Sequence, residues 1–423
     1  MTWNLRLQTL FWLVGGLIAP AIGQECTPLF PVRIDHSGLL DVNLIAAGDL
    51  NGDGFSDVVA GQSGGALVVL LGNGDGTLGP PGRSYSVGAG TREIILVDVD
   101  ADGDLGIVTV NAVANTVSVL RNRGNAEFDR LADSYAGRSP SAVAAGRLNG
   151  DGHVDLLVAN ADDRAVSMLL GDGSGLFERS GVFTVGNRPA SVVLADLDGD
   201  GDLDAAVANA NSYNVSILLN NGDGTFAEQA KRKRGGYDIV AGDLDDDGDA
   251  DLAVGGAFEI NVFLNRGDGS FSLPTAYPVS GIAGRLAIAD FDRDGNLNIE
   301  ALVGFDPAYL LVFRGNSTGR YGEPEVYNAG TSTADLAIAD FDRDLDTDLA
   351  IPSVNTDTIY VFLNQFPGDC PGDFDRDGCV DAQDVLAFLN AFNAGDPAAD
   401  LDGNGVFDGA GLLLFLALFD AGC

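Results

Sequence analysis

The sequence predicts an all-β fold, a seven-bladed β-propeller, followed by a small α-helical domain at the C-terminus. Three observations carry the prediction. An acidic cluster recurs with first positions Asp49, Asp98, Arg147, Asp196, Asp243, Asp290 and Asp340, at intervals of 49, 49, 49, 47, 47 and 50 residues. Self-similarity at such a period belongs to propellers, solenoids and arrays. Each interval holds about four short extended stretches, the content of one blade. Helical spacing of apolar residues is absent until about residue 380.

The elements follow in chain order. Residues 1–23 read as a secretory signal: Arg6 supplies the positive region, Leu10 to Ile22 the apolar run, and Ala21-Ile22-Gly23 the small residues of a cleavage site. The run is too short for a membrane anchor. Cys26 does not directly follow the cleavage site, so no lipid anchor is expected. The propeller occupies residues 24–366. Within one unit, Ser191 to Ala195 precedes the acidic cluster and Asp204 to Ala208 follows it. Asn214 to Leu219 then runs into the hairpin signal Asn221-Gly222-Asp223-Gly224, and a fourth stretch starts at Phe226. A ring of blades must close on itself, so Phe30 to Ile34 is expected to pair near the last strand, Ile359 to Leu363. A linear array would need polar capping repeats, and neither end unit looks like one.

Charge and cysteines bound the function. The formal net charge is −39 with 62 acidic and 23 basic residues. Nucleic acid and anionic membrane surfaces are therefore not expected as partners, and the mature chain is expected to have no membrane span. The even set Cys26, Cys370, Cys379 and Cys423 in an exported chain points to disulfides, with three pairings open.

The acidic clusters read as calcium loops. Asp196, Asp198, Asp200 and Asp204 take positions 1, 3, 5 and 9, with Gly201 at 6; Asp243, Asp245, Asp247 and Asp251 repeat this with Gly248. Asp49, Asn51, Asp53 and Asp57 repeat it with Gly54. Calcium takes six to eight hard oxygen ligands, which alternate carboxylates on a tight loop supply. Position 7 varies (Phe55, His153, Asn296), as expected of a ligand that binds through its carbonyl. A single cluster would be read as an Asp-rich turn; seven at constant phase, with glycine at position 6 in six of them, point to a counter-ion.

The copies differ. Asp98, Asp100 and Asp102 are followed by Gly106 at position 9. Asn149, Asp151 and Asp155 follow Arg147, whose cation replaces the first ligand and is expected to leave that site weak or empty. Asp290, Asp292 and Asp294 end in Asn298, and Asp340, Asp342, Asp344 and Asp348 carry Leu345 in place of glycine. The Asp49, Asp196 and Asp243 loops are expected to bind tightest.

The run Ala-Asp-Leu-Asp-Gly-Asp-Gly-Asp-Leu-Asp at 195–204 with Asn-Gly-Asp-Gly-Thr-Phe at 221–226 makes residues 27–366 resemble FG-GAP or VCBS repeats, the units of integrin-α-like propellers. The resemblance implies seven blades with the calcium loops on one rim. It says little about function, since the fold hosts many roles.

Residues 367–423 form the second domain. Asp373, Asp375, Asp377, Asp381 and Asp384 take positions 1, 3, 5, 9 and 12 of an EF-hand-like loop with Gly378 at 6. A helix with Val385, Leu386, Phe388, Leu389 and Phe392 follows. A second loop, Asp400, Asp402, Asn404 and Asp408, has Gly411 at position 12, and another helix, Leu412 to Phe419, follows. This duplicated loop-helix resembles a type I dockerin, which implies docking onto a cohesin-like or envelope partner. Ala382-Gln383 and Gly409-Ala410 stand where that family often carries a hydroxyl pair, a departure from its usual recognition positions.

Other signals are discounted. Arg266-Gly267-Asp268 fills the hairpin slot that Asn221-Gly222-Asp223 fills elsewhere, so turn geometry explains it. Lys231-Arg232-Lys233-Arg234 reads as a solvated connection between blades. No GxSxG, HExxH or Ser-His-Asp arrangement is visible, so no enzymatic activity is expected. The expected function is a secreted or cell-surface calcium-binding propeller that recognises a glycan or an envelope protein. The alternatives are an extracellular polysaccharide-degrading enzyme and a purely structural surface protein.

Overall fold

A computed structural model describes residues 29–365 apart from Leu40, Ser63, Gln229 and Ala230, together with Phe374, 382–394, Ala399, Leu401 and 412–416. The expected signal segment, all four cysteines and the loop residues Asp373, Asp375, Asp377, Asp381, Asp400, Asp402, Asn404 and Asp408 lie outside the described residues. The chain divides into two compact units, Val32–Asn364 and a second made of Met1–Pro31 with Gln365–Cys423.

The larger unit is all-β. Its first sheet orders Val42–Gly48, Asp57–Gln62, Ala66–Leu70 and Ser84–Ser86 as an antiparallel meander. Sheets of the same order follow over 91–135, 140–184 and 189–233. The next sheet has seven strands because Thr275–Ala289 runs for 15 residues. Its first part pairs with Ala257–Phe263, and its second part, from Ala283, pairs with Asn298–Gly304.

The last sheet takes Ala337–Ala339, Asp348–Ser353 and Thr358–Leu363 and is completed by Val32–Ser37 from the other end of the chain. There Val32 lies opposite Leu363, Ile34 opposite Val361 and Ser37 opposite Thr358. The closure expected between Phe30–Ile34 and Ile359–Leu363 is thus borne out.

Burial explains why the strands read as they do. The second strand of each sheet is covered on both faces, so Asp155–Asn160 and Asp204–Asn209 are buried throughout and built from small and β-branched residues. An outer strand such as Phe177–Thr184 alternates buried and exposed side chains. The cores lie between successive sheets: Val108 and Val119 pack with Val143 and Leu156, and Val166 and Met168 with Val207 and Leu218. Val58 and Val68 of the first sheet pack with Phe341 and Val361 of the last, which closes the series.

In the second unit, helix α1 (Ala382–Ala394) buries Val385 and Phe388. Phe388 stacks on Phe415 of the 412–416 helical segment at 4.2 Å, and Phe374 meets Phe388 edge-on at 5.2 Å. Asp384, buried in the first turn of α1, sits where the helix dipole favours an anion. Among the described residues no helix is long and apolar enough to cross a membrane.

Candidate metal centres

Each acidic loop joins the first strand of its repeat to the second, and the chain bends there by one recurring device. Positions 4 and 6 both take left-handed backbone: Gly199 and Gly201 have φ of 77° and 92°, and Asp246 and Gly248 have 60° and 92°. Position 6 requires this in all seven copies, which accounts for glycine in six; Leu345 adopts φ 73° with its side chain 83% exposed. The left-handed geometry at position 4 escaped sequence reasoning because Ala101, Asp246, Arg293 and Arg343 occupy it as well as glycine.

Hydrogen bonds then orient the carboxylates. The position 6 N–H donates to the first aspartate in six loops, as Gly201 does to Asp196 Oδ2 at 3.0 Å and Leu345 to Asp340 Oδ2 at 3.1 Å. The position 7 N–H donates to the position 5 carboxylate, as Asp202 does to Asp200 Oδ1 at 3.0 Å. Position 9 is wholly buried. Asp204 accepts from Leu197 N at 2.9 Å and Asn220 N at 2.7 Å; Asp57, Asp155, Asp251 and Asp348 repeat both bonds. This residue therefore ties the loop to the third strand, a structural role beyond the ligand role that its spacing suggested.

In five loops carboxylate oxygens of three residues converge within 4.8 Å of one another. These are Asp98, Asp100 and Asp102; Asp196, Asp198 and Asp204; Asp243, Asp245 and Asp251; Asp290, Asp292 and Asp294; and Asp340, Asp342 and Asp344. The Asp49 and Arg147 loops do not gather three carboxylates. Asn51 Nδ2 donates to Asp53 at 2.8 Å in the first, and Asn149 Nδ2 to Asp151 at 2.9 Å in the second. Arg147 itself is exposed.

Asp198 Oδ1, Asp245 Oδ1 and Asp292 Oδ1 are shielded from solvent and have no hydrogen-bond partner among the described residues. Burial first, and then the neighbouring carboxylates, raise the affinity of Asp100, Asp198, Asp245 and Asp342 for a proton. Burial likewise pushes Asp204 and Asp292 up to about 6 and Asp251 and Asp348 up to about 7. Hard, converging, uncompensated oxygens fit a divalent cation of the calcium type and not a soft metal.

Arginines temper three loops. Arg314 Nη1 lies 3.1 Å from Asp292 Oδ2, Arg121 Nε 3.8 Å from Asp100 Oδ2, and Arg293 Nε 2.5 Å from Asp346 Oδ1.

Two further polar systems escaped sequence reasoning. Asn220 Nδ2 reaches back to Leu148 O in the preceding loop at 2.9 Å and to its own Leu203 O at 3.2 Å. Asn122, Asn265 and Asn364 also reach the preceding loop, at Leu50 O, Leu197 O and Phe291 O. Recurrence of Asn just before the hairpin signal was the available clue. The second system joins first strands across the unit: Arg285 Nε lies 2.9 Å from Asp335 and Nη1 3.4 Å from Glu93, with Asp238 nearby. Each of these four stands five residues before the first position of its loop, so aligning the copies would have exposed them.

Comparison with known proteins agrees with this geometry. Five overlapping segments, 49–109, 98–158, 147–207, 196–254 and 243–299, match the family described as FG-GAP-like repeat, which together span more than half of the chain. No curated protein matches the chain.

Among solved structures, an Agrocybe aegerita lectin, described by its specific recognition of non-reducing terminal N-acetylglucosamine, is 21% identical with a TM-score of 0.53. That match covers 75% of this chain and 86% of the lectin. BBS1N in complex with ARL6DN is 10% identical with a TM-score of 0.57, over 80% and 97%. A protein of unknown function from Desulfotomaculum acetoxidans is 18% identical with a TM-score of 0.52, over 73% and 96%. At these identities the likeness is one of fold, a β-propeller-like architecture.

Proposed function

Taking as premise that this chain belongs to the FG-GAP-like repeat family, we propose that it is a secreted, calcium-loaded seven-bladed propeller that binds glycans and carries a dockerin-like docking module. The seven-blade count follows from treating Thr275–Ala289 as the outer strand of one blade continued into the inner strand of the next. The observation that carries the calcium reading is the set of shielded, unpartnered oxygens of Asp198, Asp245 and Asp292 inside converging carboxylate trios. Calcium there would be held by the position 1, 3 and 9 carboxylates of the Asp196 and Asp243 loops and would neutralise charge that otherwise opposes folding.

A binding role, not catalysis, is favoured because the carboxylates are spent on loop geometry. The likeness to a lectin supports a glycan as the ligand class. Residues 370–423 would supply the docking contact, through α1 and the 412–416 segment.

The test has two parts. Metal analysis and a chelator melt of the mature protein should find bound calcium and a large fall in Tm in EDTA. An array of neutral and acidic glycans, probed in calcium, should show saccharide binding. A metal-free protein with the same Tm in EDTA would defeat the first part, and a silent array the second.

A further inference from the structure

The edge of the sheets opposite the acidic loops carries a patch of unusual chemistry. Tyr213 ends the turn between the second and third strands of its sheet and is 40% exposed. Its hydroxyl donates to Glu259 Oε1 at 2.9 Å, across 46 residues. Phe258, 67% exposed, lies at the irregular start of the strand Ala257–Phe263, where Gly256 N donates to Glu259 O at 2.8 Å. Tyr237, 38% exposed, is fixed by its N–H on Gly255 O at 2.7 Å. A side chain at Gly256 would meet the Tyr213 hydroxyl at 3.2 Å, and Tyr237 and Phe258 are tied by backbone to the same Gly255–Glu259 stretch.

The chain's four-cation run lies in the same place. Arg232 and Lys233 pair with Val215 and Asn214, next to Tyr213. Arg234 Nη1 reaches Glu259 Oε2 at 2.8 Å and Asn261 Oδ1 at 3.3 Å. This run is not a loose linker. A side chain at Gly235 would come within 2.2 Å of Asn214 O, and one at Gly236 within 1.8 Å of Gly255 O, so the segment lies flat against two blades.

The patch is also held under strain. Arg234 and Phe258 have left-handed backbone, at φ 72° and 88°, and so does Tyr213 at 52°, an angle shared with Asn115, Arg164 and Asp357 of other repeats. A bulky side chain there costs energy that glycine or asparagine would not, and such outliers collect where the conformation serves a function. Exposed aromatic faces offer a stacking surface to the C–H face of a sugar ring, and a tyrosine hydroxyl beside a carboxylate offers hydrogen bonds to its hydroxyl groups. Four consecutive cations on a chain of net charge −39 add a requirement that neutral sugars do not meet.

We propose that Tyr213, Tyr237, Phe258 and the Lys231–Arg234 run form a binding site for an anionic polysaccharide, the rings stacking on the aromatic faces and the carboxylate or sulfate groups facing the cations. This rests on the glycan-binding reading above and names its ligand class and location. The run that the sequence presents as a solvated connection thereby acquires a role, because the fold lays it beside aromatic side chains distant in sequence.

The test is affinity electrophoresis of the full mature chain in calcium. The gels contain hyaluronan, a uronate polymer; chondroitin sulfate, which adds sulfate; neutral dextran; or single-stranded DNA. The expected result is retardation by hyaluronan or chondroitin sulfate, weakened by salt, with the arm that retards more strongly identifying carboxylate or sulfate as the recognised group. Lys231→Ser with Lys233→Ser should weaken the retarding affinity by about tenfold, one good contact's worth. Phe258→Gly should do the same while raising Tm, since glycine relieves the left-handed strain; a purely structural Phe258 would not separate the two readouts.

Retardation that survives both variants, or equal retardation by DNA, overturns the proposal. Retention by dextran alone overturns it while leaving glycan binding in place, and no retardation in any gel overturns it outright.

Discussion

Replacing Asp251 by asparagine should have opposite effects on stability with and without calcium. Asp251 is 0% exposed; its Oδ1 accepts from Asn265 N at 2.6 Å and its Oδ2 from Leu244 N at 2.9 Å. Burial, with Asp245 and Asp247 nearby, pushes its carboxyl from 3.8 up to about 7 despite those two bonds. A folded-state value above the unfolded one means that the group stabilises below pH 3.8 and that this contribution is lost as pH rises through about 7. At pH 8 without calcium the charged group therefore costs up to about 4 kcal/mol, at ~1.4 kcal/mol per tenfold change in proton affinity.

Asparagine removes the charge but keeps only one bond, as Asn298 shows in its own loop. Its Oδ1 accepts from Phe291 N at 2.6 Å while its Nδ2 has no partner among the described residues. The lost bond and the unmatched donor cost about 2 kcal/mol. Asp251→Asn should thus stabilise the calcium-free protein at pH 8 by roughly 1–2 kcal/mol, the surplus of charge relief over that loss. At pH 5, where the wild-type group is protonated, the relief vanishes and the variant should be the less stable. In saturating calcium the order at pH 8 reverses, because a hundredfold weaker site forfeits about 2.7 kcal/mol on top of the lost bond. Urea unfolding of both proteins, in EDTA at pH 8 and pH 5 and in calcium at pH 8, reads all three. Equal destabilisation in all conditions would refute the reasoning, because it would mean that Asp251 carries only hydrogen bonds and no uncompensated charge.

Three further outcomes follow from the same structure. Glu93, pushed from 4.5 up to about 7 by burial against the pull of Arg285, should make stability fall between pH 5 and 8; Glu93→Gln should flatten that fall by roughly 1–2 kcal/mol in urea melts at saturating calcium. Asn265→Ala strips the donor from Leu197 O and Ala250 O and should cost about 1–3 kcal/mol by equilibrium unfolding, whereas Asn125→Ala, at an exposed hairpin position, should cost almost nothing. Leu345→Gly frees an 83% exposed side chain from φ 73° and should raise stability by about 1 kcal/mol in the same assay.

What the sequence made legible was whatever each repeat settles within itself. The interval from Asp49 to Asp340 exposed the repeat, Gly201 and Gly248 exposed the turn, and the β-rich run from Asn214 to Leu219 exposed the strands, because all are local consequences of backbone geometry. The carboxylates at positions 1 and 3 were legible for the same reason. The dual role of position 9 was not, since its second bond goes from Asp204 to Asn220, a partner set by strand register rather than by spacing.

The fold hides more where one copy acts on another. Asn220 serves the loop of the preceding repeat 72 residues away, and Arg285 meets Glu93 across 192. Both show only as a recurrence between copies and name no partner, and each ties one repeat to another, since a repeat that cannot bury its own faces is held by its neighbours. The same logic accounts for the patch around Phe258. The acidic loops recur in every repeat with one turn geometry, left-handed at positions 4 and 6. On the opposite edge Arg234 and Phe258 hold left-handed backbone angles that Arg138 and Phe305, at the same positions of other copies, do not, whereas the angle of Tyr213 recurs at Asn115, Arg164 and Asp357. A repeat protein must keep identical what closes its ring and is free to differ only elsewhere. A strained and oppositely charged cluster on that edge is therefore where binding specificity belongs.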